Sequence, residues 1–511
     1  VLEEPSRLKN SILNSSVASL TQLATILAKF IVQTTFIHEL ALNYLGINGL
    51  FSNILMLLSF SELGLGSAIV FSMYRPLATD QRGEIAALLS FYRKAYFCIA
   101  ATVSILGLII LPFIDLFIKN GSVPYIRIYF CLFLANTIVS YLFAYKRSVL
   151  TADQKDYVNL TNQFIFMLFQ SIVQVAVLLV WKNYFLFLII QVICTLLSNL
   201  VISMQVNSRY PYLKNLSKTR RLPKKDLDDI VHNTMGLIGS QIGGIVVFGT
   251  DNLLISSFLG LVSVGLYTNY SLITNALGGI LNKAGGAVTA SLGNLAVNGS
   301  KEHVYQIFQR YVFLNFALTF FIVSMLASCL DPFIKVWIGS RYLLSMTTVF
   351  VIIINFAINQ MRQPALNFIA AYGLYRKIGW KSIIEALFNL LLSVFFIAVL
   401  KFGIAGTLLG TILTNVLINA WWEPGLVLKY AIGKKPGSYL EDYLTYMMVL
   451  CLSLTSNFYL STVLDWHGFA GLFLIAAVSL TANIFIFVLL FWHKKEFAFL
   501  LELLMRILKK I

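Results

Sequence analysis

Polar and apolar residues in this chain sort on a scale of tens of positions. Long apolar runs are separated by short polar connections. A helix needs about 20 apolar residues to cross the hydrocarbon of a bilayer. The sequence offers about fourteen such runs, centred near residues 24, 59, 101, 136, 170, 195, 246, 277, 318, 357, 390, 413, 450 and 480. They are too long and uninterrupted for the alternating ten-residue strands of a membrane barrel, so an all-α polytopic membrane fold is expected. No soluble domain remains between the runs. The first is longer than a signal-peptide core and lacks a small-residue cleavage site, so it is expected to be retained as a helix.

Several runs carry polar residues at helical spacing. On the first, Ser15, Ser19, Gln22, Thr25, Lys29 and Gln33 recur every three or four positions and share one face. On the seventh, Asn233, Ser240, Gly244 and Asp251 do so; on the eighth, Thr268, Ser271, Asn275, Gly279, Asn282, Lys283 and Gly286. The tenth contributes Asn355, Asn359, Arg362 and Gln363, with a kink expected at Pro364 because proline removes a backbone donor. Small and polar stripes also promote close helix packing, the preferred reading for the glycines. The Lys-bearing faces point instead to a hydrated cavity.

Composition agrees with the membrane reading: 58% of the 511 residues are hydrophobic, 12% are charged, and the mean hydropathy is +0.81. The net charge of +16 is explained by topology. With a cytoplasmic amino terminus, both tails and the even-numbered loops hold about 29 of the 38 Lys and Arg residues. The odd-numbered loops hold Lys119, Lys182, Lys335, Arg341 and Lys401, which is the positive-inside pattern. No nucleic-acid partner is needed. The five cysteines lie within runs and form no CxxC or Cys/His cluster, so neither disulfides nor a metal site is indicated.

A basic segment, Arg209 to Asp229, separates the sixth and seventh runs. Shifting the sequence by 216 positions lays GLFSN (Gly49 to Asn53) on GLYTN (Gly265 to Asn269), each near the start of the second helix of its half. The expected organisation is a six-helix bundle over 1–208, a basic cytoplasmic linker over 209–230 and a second six-helix bundle over 231–428, related as a parallel repeat. Accessory helices 13 and 14 follow over 429–492, and an amphipathic cytoplasmic tail over 493–511. The accessory pair is expected to complete the packing or to shape a lateral groove for a lipid tail.

Four cations remain where hydrocarbon is expected: Lys29, Lys283 and Arg362 inside runs, and Arg127 at the edge of one. Each costs about 2.5–3.5 kcal/mol there even on lenient scales, and is kept where it has a partner, water or a task. Snorkelling to the nearer interface is the competing account, and for Arg127 the favoured one. Asp251 and Glu62 are the acidic residues assigned to the membrane. Asp251 is expected to pair with Lys29 in at least one state, and Glu62 to pair with a cation or accept a proton. Glu385 is expected to form a local pair with Lys381, four residues earlier.

The segment FIHELALNYLGINGLFSNILMLLSFSELGLGSAIVFSMYRPLA (Phe36 to Ala78), the GLYTN repeat and the fourteen-run layout resemble the polysaccharide transport (Wzx-type) flippases. These belong to the multidrug/oligosaccharidyl-lipid/polysaccharide (MOP) exporter superfamily, and the match is to Gram-positive surface-glycan members. The resemblance implies two six-helix bundles forming a V-shaped cavity. It also implies alternating access that turns an undecaprenyl-pyrophosphate-linked oligosaccharide from the inner to the outer leaflet. The cargo would be a capsular or exopolysaccharide repeat unit or a teichoic acid precursor for the cell wall. Lys29, Lys283 and Arg362 would meet the pyrophosphate, and Gln22, Gln33, Asn275, Asn282 and Asn359 the sugars.

The resemblance also implies a bacterial plasma-membrane location with both termini cytoplasmic, a monomer, contact with glycan-assembly enzymes, and no cofactor beyond H⁺ or Na⁺ coupling. No nucleophile and base pair, phosphate-binding loop or sizeable outer loop suggests an enzyme. The alternative is a multidrug and toxin extruder of small organic cations, coupled through acidic residues. The sign of the cavity discriminates between the two, and three cations favour an anionic cargo.

Overall fold

A computed structural model describes residues 4–62, 65–119, 123–214, 244–247, 249–298, 300–435, 437–463 and 468–509. Among these residues the ordered elements are all helical. Most of the expected linker, together with Asn233 and Ser240, lies outside them. The chain forms two compact units, Val1–Gly265 and Leu266–Ile511.

The first unit contains α1 (Glu4–Glu39), α2 (Leu42–Leu58), α3 (Leu65–Ala78), α4 (Arg82–Ile110), α5 (Ile126–Tyr141), α6 (Ala144–Ala152), α7 (Asp156–Trp181), α8 (Tyr184–Arg209) and α9 (Gly244–Leu259). Helix α1 packs along α7, and α7 along α8. Asn183 caps α8 by accepting from the Leu186 amide. Helix α9 lies against α2, where Asn252 donates to the Gly49 carbonyl and to Asn53.

Helix α10 (Leu261–Asn298) leads into the second unit. There follow α11 (Lys301–Trp337), α12 (Met346–Met361), α13 (Gln363–Ala371), α14 (Tyr375–Val394), α15 (Ile404–Thr414), α16 (Ala420–Leu426), α17 (Gly437–Val463), α18 (Gly468–Phe491) and α19 (Lys495–Leu508). Buried α11 forms the centre, packed by α12, α17 and α18. An aromatic cluster joins them; Phe316 stacks on Tyr446 at 4.3 Å between ring centroids and meets Phe487 at 5.9 Å.

Nine helices among the described residues are long and apolar enough to cross a membrane, or ten if bent α5 and α6 count as one span. The expected number was fourteen. Part of the difference has a structural cause, because several runs are interrupted, and the run near 246 lies partly outside the described residues. The run centred near 59 is broken by a 3₁₀ turn, Ser59–Glu62, at its SELGLG stretch. The run near 136 bends by 41° between α5 and α6, with Phe143 in the left-handed region (φ 69°). The run near 357 breaks at Arg362, two residues ahead of Pro364 in the first turn of α13.

The accessory helices pack into the second unit and border a groove on it. Inside, Ser324 and Ser328 of α11, Ser453 and Asn457 of α17, and Ser479 and Asn483 of α18 form a buried hydrogen-bonded network. Outside, α18 joins α10 and α11 around an apolar groove of about 430 Å³, lined by Leu277, Phe321, Met325, Leu330 and Phe473. Polar side chains fasten transmembrane helices this way because their alternative in hydrocarbon is an unmade hydrogen bond.

Candidate functional site

Helix α1 presents two different exposed faces. Leu20, Leu23, Leu27 and Ile31 are exposed on one side. At 100° per residue, Lys29 lies on the opposite side with Gln22, Thr25 and Gln33. Lys29 is exposed, whereas Gln22 and Gln33 are half-buried. Among the described residues Lys29 makes no ion pair. The cation therefore occupies an accessible polar face that is separate from the lipid-facing stripe.

Helix α10 repeats the arrangement in the second unit. Asn275, Asn282, Lys283 and Gly286 are exposed on a common face. Its other side packs closely, with Gly278 against Gln360 and Phe356, and Gly285 against Asn367 and Tyr311. Glycine at both positions lets α10 approach these partners while the amide and Lys face stays open.

Arg362 is placed differently from Lys29 and Lys283. It lies in a buried network of charged and amide side chains. Its Nη2 donates to Glu423 Oε1 at 2.5 Å and to Glu385 Oε1 at 3.2 Å, and its Nη1 donates to Asn415 Oδ1 at 2.7 Å. Lys381 Nζ lies 2.6 Å from both Glu385 and Glu423 and donates to Asn419 at 2.7 Å. Two cations face two carboxylates, so the cluster is formally neutral. Asn359 is attached to the same network through Asn415.

The helices explain how this network is built. Asn415, Asn419 and Glu423 follow one another at four-residue steps, and the π turn Asn415–Asn419 turns the two amides inward. Such turns cluster at functional sites because they reorient side chains without ending a helix. The local Lys381–Glu385 pair forms as expected, within a larger system.

The charge inventory is corrected at several positions. Lys381 is 1% exposed and Lys146 is 7% exposed, both buried within helices that the sequence assigned to loops or loop edges. Glu423, to which the sequence reading gave no role, is fully buried. The usable signal was spacing: 415, 419 and 423 form a polar stripe like those on α1 and α10. Arg127 pairs with Asp115 at 2.8 Å, both exposed, as an interface anchor would.

Asp251 and Lys29 are not paired in this structure. Asp251 is buried, and its Oδ1 has no hydrogen-bond partner among the described residues. Glu62 sits half-buried at the 3₁₀ break, hydrogen-bonded by Tyr141 and Tyr96 rather than by a cation. Among the described residues no group of His, Cys, Asp and Glu side chains is arranged to hold a metal ion.

This fold is that of membrane exporters and flippases. It matches lipid II flippase MurJ in an inward closed conformation with a TM-score of 0.64 and 16% identity, covering 93% of this chain and 99% of that one. It matches an inward-facing multidrug resistance MATE family transporter of the MOP superfamily with a TM-score of 0.59 and 14% identity, covering 78% and 95%. An outward-facing MATE family transporter gives a TM-score of 0.54 and 13% identity, covering 81% and 93%. No curated protein matches the chain by sequence. The chain belongs to the polysaccharide biosynthesis protein family, whose model matches residues 9–290.

Proposed function

We propose that this protein is a flippase that moves a polyprenyl-pyrophosphate-linked oligosaccharide from the inner to the outer leaflet of a bacterial plasma membrane by alternating access. One contrast carries the reading. Lys29 and Lys283 lie exposed on amide-rich helix faces, whereas Arg362 and Lys381 are buried among carboxylates. A cation that handles a mobile anion must be reachable by it, and exposure supplies that.

Lys29 in the first unit and Lys283 in the second are assigned to the pyrophosphate. Gln22, Gln33, Asn275 and Asn282 are assigned to sugar hydroxyls. Arg362 and Asn359, engaged as they are, hold the second unit together. The apolar groove of α10, α11 and α18 suits the prenyl chain, since it offers almost no polar surface. Asp251, buried and without a donor on Oδ1 among the described residues, is assigned to proton or cation coupling.

The decisive experiment is a depletion strain complemented with the wild type or with Lys29→Ala and Lys283→Ala. The expected result is accumulation of inward-facing lipid-linked glycan with both variants, at normal membrane levels of protein. Export at the wild-type rate by both would refute the assignment. A cation exporter would instead protect cells against organic cations while leaving glycan export unchanged.

A further inference from the structure

The first unit contains a polar cavity that the proposed pyrophosphate path does not use. It measures about 320 Å³ and is lined by Ser140, Arg147, Gln163, Gln170, Thr195 and Asn199. The break between α5 and α6 shapes it. Asn199 Nδ2 donates to the Val139 carbonyl at 2.8 Å, satisfying backbone that the bend releases. Non-helical backbone at membrane depth persists where protein or a cavity satisfies it.

Arg147 sits beside this cavity with no carboxylate in hydrogen-bond contact among the described residues; Asp156 acts on it only electrostatically. Its Nη2 donates to Ser198 Oγ at 3.2 Å and Asn199 Oδ1 at 2.9 Å, both neutral acceptors. Its Nη1 is buried and has no acceptor among the described residues. The carboxylate of Asp156 accepts from Thr151 and Asn159, and forms no ion pair with Arg147 among the described residues. The adjacent Lys146 likewise donates only to neutral oxygens, those of Ser203 and Asn207.

The contrast with Arg362 is direct. That guanidinium donates to two carboxylates, whereas Arg147 donates to a hydroxyl and an amide, with the Asp156 carboxylate near but not hydrogen-bonded to it among the described residues. A guanidinium offers five donors in a fork that fits the two oxygens of a carboxylate or phosphate. The remaining polar lining, Gln163, Gln170 and Thr195, carries no charge and suits hydroxyl groups. Phe166 and Met167 supply an apolar wall. A volume at the lower end of ligand pockets, about 300 Å³, fits one substituted sugar better than an oligosaccharide.

We propose that Arg147 and its cavity bind an oxyanion carried on a sugar, a carboxylate or a phosphate ester, so that the transported glycan is an acidic one. This rests on the flippase reading for its biological meaning, but not for the binding itself.

The test is calorimetric titration of the full-length protein in lipid nanodiscs with glucuronate, glucose 6-phosphate and glucose. Both anions should bind, and glucose about tenfold or more weaker, the loss expected for a charge-assisted contact. Arg147→Gln should weaken the anions about tenfold or more and leave glucose unchanged. Lys335→Ala, at an exposed position of the second unit with no assigned role, should alter none of the three. Because Arg147→Gln risks poor folding, Gln163→Leu, at an exposed position of the lining, should weaken both anions independently. Absence of anion binding in the wild type, equal binding of glucose, or undiminished binding in both variants overturns the proposal.

Flipping of prenyl-pyrophosphate-linked neutral and acidic sugars in proteoliposomes separates the two readings. If the wild type moves neither, the flippase reading fails while the titration still decides the site. If it moves both, and Arg147→Gln moves both at the wild-type rate, only the acidic-cargo inference fails.

Discussion

Arg362 donates to both carboxylate oxygens of Glu423, from Nη2 to Oε1 at 2.5 Å and from Nε to Oε2 at 3.0 Å. This fork joins the α12–α13 break to α16, and Lys381 and Glu385 of α14 complete it. Burying four charges is costly, and the expense is offset only while every partner is present. The cluster therefore resists partial disassembly, and its worth lies in fixing which helices meet.

Glu423→Ala leaves Arg362 and Lys381 sharing one carboxylate. We expect a loss of about 3–5 kcal/mol, the usual result of stranding one partner of a buried pair. Chemical unfolding in detergent micelles measures it. The double variant Arg362→Met, Glu423→Gln keeps the Lys381–Glu385 pair and should recover most of that loss. If the double variant is no more stable than the single one, the two residues do not act as a unit.

Lys29 and Lys283 are exposed, so their replacement should affect transport and not folding. Each alanine variant is expected to lower flipping by about ten- to a hundredfold, corresponding to one charge-assisted contact of 1.5–3 kcal/mol. Arginine at either position should retain part of the activity, and glutamate none. A vesicle assay of lipid-linked glycan orientation gives the rates. Wild-type flipping by a glutamate variant would eliminate the electrostatic role.

Asp251→Asn is isosteric, and the wild-type Oδ1 has no donor to lose among the described residues. The variant should fold normally and flip substrate at the same rate with or without an imposed proton or sodium gradient. Wild-type protein should be accelerated by one of those gradients. A gradient response preserved in the variant would assign coupling elsewhere.

In the α11, α17 and α18 network, Asn483 accepts from Ser453 and Asn457 and donates back to Asn457. Asn483→Leu strands these buried partners, at a cost of about 1–3 kcal/mol. The melting temperature should fall while the lysine-dependent step persists below it. An unchanged melting temperature would mean that packing alone holds the accessory helices.

Gly410 marks a close crossing of α15 with α14. A Cβ there would lie 2.3 Å from Ser393 Oγ and 2.6 Å from Ser393 N. Gly410→Ala should cost about 1–3 kcal/mol by forcing the helices apart. Ser393→Ala should not rescue it, because backbone also blocks the space. Gly425, whose Cβ would meet nothing within 4 Å, is the control. Its alanine variant should be neutral or stabilising by up to about 1 kcal/mol.

The sequence by itself determined the membrane class, the helical segments and which faces of α1 and α10 are polar. Hydropathy and the 3.6-residue period are local properties, so each can be read within one run. The KR pair at 146–147 was assigned to a connection because nothing in the neighbouring residues revealed its partners, Ser198 and Asn199, which lie 51 and 52 positions from Arg147. Likewise, only the tertiary structure distinguished Arg362 from Lys29. Its carboxylates stand 23 and 61 positions away, and the compensation of a charge depends on distance through space, not along the chain.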